Sequence, residues 1–295
     1  MSEPRDSGRG GPGVPAEWWN EYDFGIGMRQ SLLVRRVHSE KTPYQELEVF
    51  ESDQLGRILV LDGIVQTTQA DEFMYHEMIV NVPLLGRPGA RTGSPASVLI
   101  IGGGDGGALR EVLRHQEVER AVMVEIDRAV VEASARHVGI NGDYDDPRAD
   151  LVIGDGSAFV KSAAARERPF DVVIIDSTDP VGPGELLFTD EFMRDLAACM
   201  TDDGVMVRQS GLPFGQGDVL GRVAGQARRV FGASELFRVA VPTYYAGDMA
   251  FVVGLPAGRT LRTPHREWVG RYYNPEIHSA AFALPTWLRE LAAGD

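Results

Sequence analysis

The apolar positions of this chain change their period along its length. Between residues 28 and 69 they fall largely in short runs, and Tyr44-Gln45-Glu46-Leu47-Glu48-Val49-Phe50 alternates for part of its length. Alternation sends every second side chain to one face, so these runs predict half-buried strands. Arg57 to Leu61 and Ile64 to Thr68 flank Asp62-Gly63, which predicts a tight hairpin turn. Asp71-Glu72-Phe73-Met74-Tyr75-His76-Glu77-Met78-Ile79 then predicts a helix with acids in its first turn. Residues 87–95, with Gly, Pro and Ser, predict a loop.

From Ser97 onward the pattern switches to short, wholly apolar runs separated by helical periods. Strands are predicted over 98–101, 121–125, 150–153, 171–175 and 204–208, and helices over 107–115, 128–136, 156–165 and 189–200. Such alternation predicts an α/β domain whose mostly parallel sheet is covered on both faces. The segments 237–241 and 249–253 suit an antiparallel hairpin at its edge. The division expected is a disordered Gly/Pro-rich tail over 1–16, an all-β domain over 17–69 and the α/β domain over 70–295. Trp18 and Trp19 either cover a pocket or dock the N-terminal segment. No internal repeat is visible.

The first α/β strand, Val98-Leu99-Ile100-Ile101, runs into Gly102-Gly103-Gly104-Asp105-Gly106-Gly107 and then a helix start. A sheet presents its backbone to a nucleotide-like ligand in this way, beyond the carboxyl ends of its strands. Asp105 is out of place in a phosphate cradle, because it would oppose the phosphate charge. The loop suits a ligand with a nucleoside at one end and a cation at the other.

Charge points the same way. With 29 basic and 43 acidic residues among 295, the net charge is −14. That argues against nucleic acid and anionic membrane as partners and is compatible with a cationic substrate. No apolar run approaches the roughly 20 residues needed to span a bilayer, and no signal-peptide core is visible, so a cytoplasmic protein is expected. The single cysteine, Cys199, excludes an internal disulfide and reads as a buried structural thiol in a helix-like stretch.

Acids recur at successive strand ends. Asp105 lies in the first loop, Glu125 closes the second strand, Asp155-Gly156 follows the third and Asp176 follows Val172 to Ile175. Glu125 stands where a doubly wound fold places the carboxylate that grips a ribose diol. Asp155 can accept from an adenine amino group, and Gly156 permits close backbone approach. Each acid taken singly also fits a helix cap. No histidine or acid cluster has short metal-ligand spacing, so no metal is expected. Neither a Gly-x-Ser-x-Gly elbow nor a His-Glu-x-x-His helix occurs.

At these residues the chain resembles the bacterial spermidine synthases, which are polyamine aminopropyltransferases. The matching stretches are Tyr44-Gln45-Glu46, Leu61 to Thr68, Asp71 to Met78, Ile100 to Gly107 and Val124-Glu125-Ile126-Asp127. They continue with Gly154-Asp155-Gly156, Asp176 to Pro183, Pro242-Thr243-Tyr244-Tyr245 and Arg271 to Pro275. The resemblance spans about residues 18 to 290. It implies a small N-terminal β domain on a Rossmann-like domain of the class I methyltransferase type. It also implies transfer of an aminopropyl group from decarboxylated S-adenosylmethionine to a diamine, usually putrescine, giving spermidine and methylthioadenosine.

By the same resemblance Asp176 is the proton acceptor, and Asp105 holds the donor's amine or the matching end of the product. Gln45, Gly102, Gly104, Glu125, Asp155, Gly156 and Pro183 are expected around the nucleoside. Tyr75, His76, Asp179, Gln209 and Tyr244 are expected along the amine channel. No cofactor is implied beyond the co-substrate donor, and a homodimer or homotetramer is expected. Where some relatives carry an acid shortly after the glutamine matched by Gln209, this chain has Ser210-Gly211-Leu212. Acceptor length is therefore open, with cadaverine, agmatine and spermidine beside putrescine.

The acceptor is an alkylammonium with a pKa near 10.4 and must lose a proton before it can attack. Repulsion from Asp105 and Asp179 is expected to raise Asp176, while bound cations pull it down. The rival readings are an S-adenosylmethionine methyltransferase, a non-catalytic polyamine- or nucleoside-binding module and a nicotinamide dehydrogenase.

Overall fold

Two sheets organise the chain in a computed structural model that describes residues 15–22, 27–178 and 182–293, with the backbone alone for Gly182 and Pro183. In the first sheet β1 (Glu17–Tyr22), β2 (Arg29–Lys41), β3 (Glu46–Ser52), β4 (Gly56–Leu61) and β5 (Ile64–Thr68) pair in chain order, antiparallel throughout. Asp62 takes φ 47° and Gly63 φ 77°, the left-handed pair that a two-residue hairpin turn needs. Helix α1 (Glu72–Gly86) then crosses to the second sheet.

That sheet contains β6 (Ala96–Gly102), β7 (Val118–Glu125), β8 (Ala149–Ile153), β9 (Phe170–Asp176), β10 (Met200–Gln209), β11 (Ala233–Ala240) and β12 (Asp248–Leu255). Their spatial order is β11-β12-β10-β9-β6-β7-β8, parallel from β10 to β8, with β12 antiparallel to both β10 and β11. The chain leaves β6 in one direction through β7 and β8, then returns to the other side of β6 as β9. The switch point thus lies between β6 and β9, where Gly102 pairs with Asp176.

The wholly apolar strands follow from burial on both faces. Val98, Ile100, Val172 and Ile174 join the core with α1 and with α2 (Gly107–Leu113). Leu99, Ile101, Val173 and Ile175 pack on the other face. Their partners there come from α4 (Gly156–Lys161), α6 (Asp190–Ala197) and α7 (Gly217–Phe231). Helix α3 (Arg128–Ala133) presents Val130 and Ala133 to Leu47, Val49, Leu59 and Leu61, which ties the first sheet to the second.

Several elements differ from the sequence reading. Strand β1 was not anticipated. Its Trp19 packs on Phe50 at 5.3 Å, whereas Trp18 is 63% exposed on the outer face, and neither lines the central cavity. The predicted helix over 156–165 breaks at Ser162, whose side chain caps α5 (Ala163–Glu167). The predicted helix over 128–136 gives way after Ala133 to one wider turn, Ser134–Val138, closed by Gly139 at φ 78°. The segment 87–95 contains a short 3-10 turn, Pro88–Thr92. Cys199 lies just past α6, where its thiol donates to Leu196 O at 3.0 Å and burial pushes it up to about 11.

Helix α7 was also missed, although Leu220, Val223, Ala224 and Ala227 repeat at helical spacing and are all buried. Gly217, Gly221 and Gly225 depress its intrinsic propensity. At Gly221 a Cβ would stand 3.0 Å from Leu291 O, so the glycine admits the terminal helix α9 (Thr286–Ala293), which follows α8 (Pro275–Ala280). The stretch over 1–16 lies outside the described residues up to residue 14.

Candidate active site

The carboxyl ends of the parallel strands open into a cavity of about 550 Å³. That is within the range of small-molecule sites. The turn from β6 into α2 is its floor. Gly102 and Gly103 have φ of 82° and 70°, and Gly103 N donates to Asp176 O at 2.7 Å. A Cβ on Gly102 would stand 2.1 Å from that carbonyl, so the loop lies directly against β9. This approach fixes where Asp176 enters the cavity.

Tyr75, on α1, donates its hydroxyl to Asp176 Oδ1 at 2.6 Å. Asp176 is pushed up to about 6, first by burial and then by the negative charge of Asp105, against the opposing pull of His76 and Tyr75. Burial thus outweighs the repulsion that the sequence suggested. Asp105 is tied at both oxygens: Oδ1 accepts from Gly107 N at 2.8 Å, and Oδ2 is 3.2 Å from His76 Nε2. Burial alone would lower His76, but Asp105 and Glu72 outweigh it and hold the imidazole well above its usual range.

The other strand ends supply the second half of the cavity. Glu125 at the end of β7 accepts from Asp127 N at 2.8 Å and is pushed up to about 7, by burial first and then by Asp127. Asp155 lines the cavity and also caps α4 by accepting from Ser157 N at 2.7 Å. At Gly156 a Cβ would stand 2.5 Å from Ile101 Cγ2. Gln45 reaches across from the first sheet and donates to Asp127 Oδ2 at 2.9 Å.

Tyr244 also lines the cavity. Its ring meets Tyr75 edge-on at 6.0 Å, and its hydroxyl donates to Gln66 O at 2.7 Å. Gln209, at the end of β10, lines the same cavity. The structure therefore brings together Gln45, Tyr75, His76, Gly102, Gly104, Asp105, Glu125, Asp155, Gly156, Asp176, Gln209 and Tyr244. Asp179 lies outside the described residues, as does the side chain of Pro183.

Sequence reasoning missed Glu21. This carboxylate on β1 also lines the cavity, accepts from Val65 N at 3.1 Å and is bonded by Gln30, whose amide reaches Thr243 O at 3.0 Å. Burial raises it above the usual carboxylate range. The burial of Glu21 opposite two exposed neighbours, Trp18 and Tyr22, was legible only once 17–22 was seen as a strand. Asp127, which holds both Gln45 and Thr42, was also missed as a support. No group of three potential metal ligands occurs among the described residues.

The arrangement is a cleft of small-molecule size lined by acids from four strand ends, with two tyrosines among them. Family models match the chain over nearly this whole architecture. A spermine/spermidine synthase domain covers residues 72–261, and a spermidine synthase tetramerisation domain covers 17–69. The chain belongs to the spermine/spermidine synthase family. It is 42% identical over 287 residues to the polyamine aminopropyltransferase of Ruegeria sp. strain TM1040, covering 93% of this chain and 98% of that one. It is 44% identical over 276 residues to polyamine aminopropyltransferase 1 of Pseudomonas aeruginosa, covering 90% and 93%. A spermidine synthase crystallised with the transition-state analogue AdoDATO superposes with a TM-score of 0.84 at 35% identity, over 94% of this chain and 95% of the other. The spermidine synthase of Thermotoga maritima gives 0.82, also at 35% identity. The protein is thus an aminopropyltransferase on a Rossmann-like domain, with an antiparallel β domain before it.

Proposed function

We propose that the protein transfers the aminopropyl group of decarboxylated S-adenosylmethionine to putrescine, giving spermidine and 5′-methylthioadenosine. The observation that carries this reading is that Asp105, Asp176, Glu125 and Asp155 line one cleft together with Tyr75 and Tyr244. Glu125 suits the ribose diol and Asp155 the adenine amino group. Asp105, fixed at both oxygens, suits the donor's primary ammonium. An intact S-adenosylmethionine would place a carboxylate there. Two like charges about 4 Å apart cost roughly 4 kcal/mol at an effective dielectric of 20.

The sulfonium donor carries its own leaving group, so the residues need to orient the reactants and take one proton. Asp176 accepts it from the acceptor's ammonium. The freed nitrogen lone pair attacks the aminopropyl methylene bonded to the sulfonium sulfur, and that carbon–sulfur bond breaks toward sulfur to leave a neutral thioether. Raising Asp176 to about 6 narrows the gap to an alkylammonium, which favours the transfer. The faces of Tyr75 and Tyr244 suit the cationic chain. Glu21 offers a carboxylate for the acceptor's second ammonium where the acid after Gln209 is lacking.

No cofactor beyond the donor enters this chemistry. The reading places the enzyme in the cytoplasm as a homodimer or homotetramer. The family-model match over 17–69 and the exposed Trp18 beside Leu33 support self-association. The test is a panel of putrescine, cadaverine, agmatine and spermidine, each incubated with the decarboxylated donor and read by mass. Putrescine is expected to give the fastest product. Faster conversion of another amine overturns the acceptor, and no aminopropyl adduct with any amine overturns the reaction.

A further inference from the structure

Glu72 and Arg110 stand behind the cavity wall and do not line it. Glu72 and His76 are one turn apart on α1, with His76 Nδ1 2.5 Å from Glu72 Oε2. Arg110, on α2, donates from Nη2 to both Glu72 oxygens at 2.8 and 3.1 Å, and from Nε to Glu111 Oε1 at 3.1 Å. On its other side the same His76 ring reaches Asp105 at 3.2 Å. The ring side chain is 2% exposed. With a carboxylate at each nitrogen, both nitrogens are satisfied together only as donors, which is the imidazolium. The result is an alternating row: guanidinium, carboxylate, imidazolium, carboxylate.

Geometry closes the row from the loop side as well. A Cβ on Gly107 would stand 2.2 Å from His76 Cε1, so the first residue of α2 lies flat against the ring. Its amide is the one that holds the other oxygen of Asp105. Burial raises Glu72, but His76 and Arg110 outweigh it and hold Glu72 down at about 2. A buried unpaired member of this row would be costly.

We propose that Glu72 and Arg110 act as positioning residues: through the His76 ring they hold Asp105 in place as the carboxylate that binds the donor's primary amine. The inference rests on the donor assignment above. Neither residue touches the reactants. Their effect is confined to the end of the donor that carries the amine, and the nucleoside end is read by Glu125 and Asp155.

The test compares two ligands that share the nucleoside. Affinities for decarboxylated S-adenosylmethionine and for 5′-methylthioadenosine, which has no amine, are measured by calorimetry on wild type, Glu72→Gln, Arg110→Met, Arg110→Lys and Asp105→Asn. Charge-assisted hydrogen bonds of this kind are worth about a tenfold change or more in affinity. Glu72→Gln is expected to lower the donor-to-nucleoside ratio about tenfold with methylthioadenosine affinity retained. Arg110→Met is expected to lower the ratio less, with partial rescue in Arg110→Lys. A ratio within twofold of wild type in both Glu72→Gln and Arg110→Met overturns the proposal. So does an equal fall in both affinities, which marks a scaffold role. If wild type itself shows no preference for the amine-bearing ligand, the donor assignment fails and the proposal with it. If only the variants match wild type, the proposal fails alone.

Discussion

Asp176 joins three conditions that no other described carboxylate in the cleft combines. It ends β9 at the switch point, it accepts the Tyr75 hydroxyl, and it is raised to about 6. Asp176→Asn keeps the size and the hydrogen bond and removes the proposed base. Turnover should fall about 10²–10⁴-fold with the thermal unfolding curve retained. Unchanged turnover would remove Asp176 from its role. The sign of its pH effect follows from the upward shift. In the free enzyme kcat/KM should fall about tenfold per pH unit below a break near 6, as the base takes up its proton. Asp105→Asn removes a charge that raises Asp176 and should move this break to lower pH, which a profile from pH 4.5 to 8 reads. Stability runs oppositely. The carboxyl binds its proton more tightly in the folded chain, so that contribution is present below 3.8 and lost by about 6.

These residues were legible as types at strand ends, because the pattern fixed where the strands stop. Their surroundings were not. Glu72 read only as an acid in a first helical turn, and nothing in the spacing said that Arg110 would reach it from another helix. Burial as the larger cause of the Asp176 shift also required the fold.

Elements decide which side chains can meet. The glycine loop brings β6, α2 and β9 close enough for Gly102 to pair with Asp176 and for Gly107 to press on His76. Alanine at a helical position normally gains about 1 kcal/mol over glycine. Gly107→Ala nevertheless adds an atom 2.2 Å from the imidazole. It should destabilise by about 1–3 kcal/mol and weaken donor binding, checked by thermal melting and calorimetry. A rise in melting temperature with donor affinity intact would mean that the ring has room to move. The parallel strands were readable because two buried faces give unbroken apolar runs. Helix α7 was obscured by its glycines, of which Gly217 and Gly221 serve contacts with α9 rather than local propensity. Strand β1 carries buried Glu21 between exposed Trp18 and Tyr22, so its polar-in, apolar-out pattern opposes the usual signal.

At the scale of the molecule, the first sheet does two things. Its β3–β4 face packs on α3 and sets Gln45 against Asp127. Its outer face leaves Trp18 exposed, paired in register with Leu33. Exposed aromatic and aliphatic neighbours on a sheet face suit an interface between copies. Trp18→Glu should lower the mass measured by sedimentation without loss of fold, and an unchanged mass would place self-association elsewhere. The order of strands, the switch point and the acids around it form one design in which the cleft's charge matches a cationic donor and a cationic acceptor. The most direct measurement supplies putrescine with either the decarboxylated donor or S-adenosylmethionine at equal concentration, with products followed by mass. Aminopropyl transfer guided by Asp105 predicts spermidine and methylthioadenosine in equal amounts from the first and almost no product from the second. Methyl transfer from S-adenosylmethionine at a comparable rate would contradict it.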